Sequence, residues 1–161
     1  MRKNNGFTLV ELIIYMGIFS IFLLVLTSMF TSILDSQFET NSITSVEQDG
    51  RFILRRLTND IQSSSSINVP SAIGASSNSL QLVINGITNT YTLTNGNLTL
   101  TNDKGTNNLN NYDTTISNLS FTRLGNAGGK NTVTISFKST SKTLKTSGPE
   151  IKNFNMTIGT R

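Results

Sequence analysis

The chain has 161 residues, room for one compact domain plus an anchor and too few for two ordinary domains. Its 13 Lys and Arg against 9 Asp and Glu leave a net charge of +4 with no basic run longer than Arg55-Arg56, so no clear nucleic-acid site is marked. Cysteine and histidine are both absent, which excludes a disulfide scaffold, a thiolate metal site and a cysteine nucleophile, and removes the commonest general base and metal ligand.

The first element lies at the N-terminus. Arg2 and Lys3 precede "GFTLVELIIYMGIFSIFLLVL", and residues 12–34 form a run of 23 without a formal charge. As a helix that run extends about 35 Å, enough to cross the hydrocarbon core of a bilayer. The first charges after it are Asp35 and Glu39, so the positive-inside rule predicts a single pass with the N-terminus in the cytoplasm and the chain beyond residue 35 outside. A secretory signal peptide would close in small residues spaced for cleavage, whereas this run ends in "TSMFTSIL" and passes into further helical sequence. A plain anchor explains the apolar run but not Glu11, because an acid near the membrane is costly unless it has a partner or lies at the edge. Gly17 and Ser20 interrupt the run with small side chains, as close helix packing in membranes favours.

Basic residues, then "GFTLVEL", then an uninterrupted apolar run resemble the N-terminal signature of type IV pilins and of the pseudopilins of type II secretion and competence systems. The resemblance covers about the first 30 residues. It implies that a prepilin peptidase cuts between Gly6 and Phe7, that Phe7 is then N-methylated, and that Glu11 serves assembly. It further implies residence in the cytoplasmic membrane before assembly, an inner-membrane assembly platform, and other pilins or pseudopilins as partners in a helical fibre at the cell surface. The physics is compatible: cleavage would leave a positive amine at Phe7, beside the unpaired N–H groups and positive dipole end of a helix start. An acid one turn in can cap its own helix or meet the terminal amine of a neighbouring chain. The sequence leaves that choice open, and the resemblance implies the second.

Beyond the membrane segment, Ile43, Val46, Gly50, Ile53, Leu57 and Ile61 recur at three- and four-residue steps and predict one apolar stripe on a continuing helix. The other faces carry charge, with Glu47 and Arg51 spaced for an i,i+4 pair. From Thr8 to Gln62 such a helix measures about 80 Å, and "SSSSINVP" ends it. The remaining hundred residues hold 47 Ser, Thr and Asn and 11 charges. Yet "SLQLVI", "ITNTYTL" and "NLTLT" alternate apolar and polar side chains around Asn85-Gly86 and Asn95-Gly96, which predicts a three-strand meander. "ISNLSFTRL", "TVTISF" and "FNMTI" alternate likewise, while "NDKGTNNLNNYDTT" has no apolar period and reads as an exposed insertion.

The expected fold is α+β and pilin-like: residues 1–6 a leader, 7–34 a transmembrane and assembly helix, 35–66 its amphipathic outer half, and 67–161 an antiparallel β domain covered by the apolar stripe. "EQDGRFILRRLTNDIQ" resembles the helix region of J-type or PilW-like minor subunits, although paired cysteines and a proline in the membrane helix are missing. The expected function is that of a structural, minor subunit of a type IV pilus, competence pilus or type II secretion pseudopilus; the alternative is a pilin-anchored surface adhesin or binding module. No enzyme is expected, since no nucleophile and base can be assembled from these residues, and no cofactor or metal is assigned. Residues 102–113 offer oxygen ligands for calcium but lack EF-hand spacing.

Overall fold

The computed structural model describes residues 8–125, 129–143, 145 and 147–161. The chain divides into two compact units at the boundary between Phe38 and Glu39. One helix, α1 (Leu9–Ser63), supplies all of the secondary structure described in the first unit and the opening segment of the second. It holds no proline, and its N-terminal half is built from Leu, Ile, Met and Phe, so nothing interrupts the hydrogen-bond ladder. It ends where Ser64 turns back on Ile61, whose carbonyl accepts both the Ser64 N–H (3.2 Å) and its hydroxyl (2.7 Å).

Among the described residues nine strands follow: β1 (Ser66–Val69), β2 (Ser76–Ser77), β3 (Leu80–Ile84), β4 (Ile87–Thr94), β5 (Asn97–Asn102), β6 (Gly105–Asn108), β7 (Thr114–Leu124), β8 (Thr132–Ser141) and β9 (Ile151–Gly159). They form two antiparallel sheets, a five-stranded one in the order β1-β3-β4-β5-β6 and a four-stranded one in the order β2-β7-β8-β9. The expected meander is β3-β4-β5, with Ile84 opposite Ile87 and Thr94 opposite Asn97 across two-residue loops. Asn85 and Gly86 take φ of 52° and 79°, and Asn95 and Gly96 take 51° and 77°. Positive φ at both central residues defines the hairpin turn whose twist matches that of its strands.

Two expectations are corrected. The stripe does not include Ile43, which is 41 % exposed; the buried row is Ser42, Val46, Gly50, Ile53, Leu57 and Ile61. Below Val46 the row continues by a four-residue step, which brings in position 42 and leaves 43 on the flank. The stretch 102–115 is exposed at most positions, as expected, but it is not a mere connection: it contains β6, which pairs with β5, and the buried Asn110. The Asn110 side chain accepts the Leu98 N–H (2.9 Å) and donates to Asn97 Oδ1 (3.1 Å) and to the Thr114 carbonyl (3.1 Å). Backbone pairing and one amide order this segment, and neither leaves a trace in apolar periodicity.

The outer part of α1 touches both sheets. The Tyr91 hydroxyl of β4 donates to Asp60, and Gly50 lies against the ring of Phe154 of β9. The sheets themselves join where the Ile116 N–H donates to the Gly96 carbonyl at 2.8 Å. One core results, with Val46, Ile53, Leu57 and Ile61 packed among Leu80, Leu82, Tyr91 and Leu98 of the first sheet and Ile116, Phe121, Val133, Ile135, Phe137 and Phe154 of the second.

Candidate functional site

Gly6 and Phe7, with Arg2 and Lys3, lie outside the described residues. Thr8 is the first described residue, and it caps α1. Its side-chain oxygen accepts the Glu11 N–H at 3.3 Å, and its carbonyl accepts the Leu12 N–H at 3.2 Å. The first bond satisfies a donor that a helix start leaves orphaned, and the second is the first rung of the helix ladder. The local signal for this cap is "TLVE", which has the T-x-x-E spacing of a capping box. The Glu11 carboxylate is exposed and has a long contact of 3.5 Å with the Tyr15 hydroxyl one turn on. Thus the cap is made by the backbone of Glu11, and its charge stays available to another group.

From residue 8 to residue 33 every side chain is exposed, including Leu9, Ile13, Phe19, Phe22 and Phe30. A continuous apolar surface of this size is not tolerated in water and calls for lipid or other apolar helices. Several of its hydroxyls find their partner within the helix itself. Ser20 bonds back to the Met16 carbonyl (2.7 Å), Thr27 to Leu23 (2.9 Å) and Ser28 to Val25 (2.8 Å). Such internal satisfaction of polar groups is what a hydrocarbon environment demands. Leu12, Tyr15, Met16, Ile18, Phe19 and Phe22 bound an apolar concavity of about 660 Å³ beside the helix. It is open ground along one helix rather than an enclosed cavity, so its natural complement is another helix. Gly17 meets no atom within 4 Å that a side chain would strike.

In the globular unit several charged groups are engaged in structure. Asp60 accepts the Tyr91 hydroxyl and pairs with Arg56 at 2.8 Å. Burial and the bond to Asp60 hold the Tyr91 phenol well above its ordinary pKa, and the Asp60 bond holds the Arg56 guanidinium above its own. Asp49 accepts the Asn111 N–H (2.8 Å) and the Thr114 hydroxyl (2.5 Å), fixing the start of β7 to α1. The expected Glu47–Arg51 pair forms at 3.0 Å, and Lys152 of β9 shares the same carboxylate. Among the described residues no group of three or more acidic side chains gathers as a metal site.

Residues 1–27 match the family model of the prokaryotic N-terminal methylation motif. No curated protein and no solved structure matches the chain. A helix exposed and apolar over its first half, packed through its second half on antiparallel sheets and headed by this motif, defines a pilin-like α+β protein. The chain carries the N-terminal signature of type IV pilins and pseudopilins, which supports a structural role, processing by a prepilin peptidase and assembly with other pilins.

Proposed function

We propose that this protein is a minor structural subunit of a type IV pilus, a competence pilus or a type II secretion pseudopilus. The carrying observation is the methylation motif at the head of a helix that is apolar and exposed throughout its first half. In this reading the peptidase cuts between Gly6 and Phe7, Phe7 is methylated, and the chain waits in the cytoplasmic membrane with residues 35–161 outside. The assembly platform then draws it into a fibre. Glu11 is assigned to the assembly step, where its carboxylate meets the amine of a neighbouring subunit's Phe7.

The test uses Glu11→Gln, which isolates the charge because the bond to Thr8 is made by the backbone N–H and survives the substitution. In the membrane the variant should accumulate normally and be cut to begin at Phe7, read by intact mass. In sheared fibres its recovery should fall, since loss of one member of a buried ion pair leaves the other uncompensated at a cost of about 3 to 5 kcal/mol. Equal recovery of both proteins from fibres would remove the assembly role of Glu11. A mature N-terminus beyond Leu26 would replace the pilin reading with a secretory signal.

A further inference from the structure

The last strand, β9, ends its sheet. Its register with β8 runs through nine consecutive pairs, from Thr132 opposite Gly159 to Thr140 opposite Ile151, without a shift. The Ser141 N–H bonds the Glu150 carbonyl and the Thr160 N–H bonds the Asn131 carbonyl, each at 2.8 Å. In an antiparallel ladder the bonded pairs recur at every second residue, so Lys152, Phe154, Met156 and Ile158 direct their backbone groups at β8. Ile151, Asn153, Asn155, Thr157 and Gly159 therefore direct theirs away from the sheet, and no described residue answers them.

Other edges are blunted. On the far side of this sheet β2 spans two residues, β7 carries an irregularity between Ser117 and Ser120 with Asn118 at φ 52°, and the Ile116 N–H is already spent on Gly96. In the first sheet β1 shifts register between Ile67 and Val69 and runs into Pro70, and β6 is four residues long. Shortness, irregularity, proline and charged side chains, lysine above all, are among the devices by which natural sheets prevent edge pairing. β9 has none of the first three, and its one lysine, Lys152, is drawn onto Glu47 of α1.

Beside this edge lies a groove of about 390 Å³, formed by Arg51, Leu54, Arg55, Thr58 and Asn59 of α1 and by Met156 of β9. Its floor is apolar at Leu54 and Met156, and its charge is positive. Glu47 is the acid for both Arg51 and Lys152, while Arg55 is exposed and has no acidic partner among the described residues. We propose that the open edge of β9 and this groove form a strand-addition site for an extended polypeptide segment of another protein, with apolar and acidic side chains on its groove-facing side. The backbone groups of β9 supply affinity, and the alternation of Met156 and Leu54 with Arg51 and Arg55 selects the sequence. The inference rests on the globular unit alone and stands or falls apart from the assignments at Gly6, Phe7 and Glu11.

The experiment uses the full chain in detergent micelles and a fluorescent eight-residue peptide, Val-Thr-Glu-Thr-Val-Thr-Glu-Thr, followed by anisotropy. Binding is expected, at least tenfold weaker when both glutamates are replaced by lysine. N-methylation of the amides on one edge of the peptide should abolish it, while N-methylation of the alternate amides should leave it intact. Asn155→Pro removes only an outward N–H, as edge strands tolerate, and should weaken binding at least tenfold; Arg55→Glu should invert the preference between the glutamate and lysine peptides. Hydrogen exchange at Asn153, Asn155 and Thr157 should slow on addition of peptide. No binding at millimolar peptide, or binding indifferent to N-methylation and to Arg55→Glu, overturns the proposal, whether or not Asn155→Pro folds.

Discussion

Gly50 and Tyr91 show what single residues do in this core. A Cβ placed on Gly50 would clash with the tip of the Phe154 ring, which is itself stacked on Phe137 with centroids 5.2 Å apart and so has little room to yield. Gly50→Ala should therefore destabilise the protein by about 1 to 3 kcal/mol through overpacking, despite the better helix propensity of alanine. Denaturant melts check this, and Phe154→Leu in the same chain should recover part of the loss. Tyr91 is wholly buried with its hydroxyl on Asp60, and its folded pKa is raised. In the unfolded chain the phenol ionises near pH 10, about the ordinary tyrosine value. Above that pH the unfolded state has lost a proton that the folded state retains, so stability should decline as pH rises until the folded phenol itself ionises. Tyr91→Phe should cost about 1.5 to 3 kcal/mol at neutral pH, the range for a hydrogen bond to a charged group. It should also flatten the alkaline decline. Gly50 could be seen in the sequence as a member of the stripe, but the ring it admits comes from a residue about a hundred positions later, and no local pattern names it.

At the scale of elements, legibility followed the backbone's own chemistry. Helix α1 was readable from a period of three and four residues, and the hairpins from Asn-Gly pairs that accept positive φ. β6 was not readable, because "GTNN" is exposed at every position and holds its place through pairing with β5. The capping role of Thr8 was readable in principle, since it needs only local spacing. The buried row on the outer part of α1 makes its own prediction. Leu57 is 0 % exposed and surrounded by core side chains of both sheets, so Leu57→Asp buries a charge with no partner. That change should abolish the cooperative thermal transition followed by circular dichroism, because the penalty rivals the whole stability of a domain of this size. Ile43→Asp, on the exposed flank, should melt close to the parent and serves as the control.

At the scale of the molecule, the division near Phe38 separates a unit with its apolar side chains outside from one with its apolar side chains inside. A fragment of residues 35–161 keeps the buried row with both sheets and should be soluble and folded without detergent, whereas the full chain should require detergent or lipid. Size-exclusion chromatography with and without detergent checks both halves of that statement; aggregation of the fragment would mean that the first unit contributes to the core. What the sequence determined alone was whatever depends on residues near one another along the chain: the methylation motif, the apolar run, the helical stripe, the tight turns and the alternating strands. These are fixed by backbone sterics and by the spacing of side chains on one element. The tertiary structure decided how the strands divide between two sheets, that Asp60 meets Tyr91 and Asp49 meets Thr114, and that the outer edge of β9 has no strand partner among the described residues. Such contacts join residues dozens of positions apart, and their partners are selected by packing and by the matching of hydrogen-bond donors with acceptors across the whole fold, which leaves no mark on the local order of the chain.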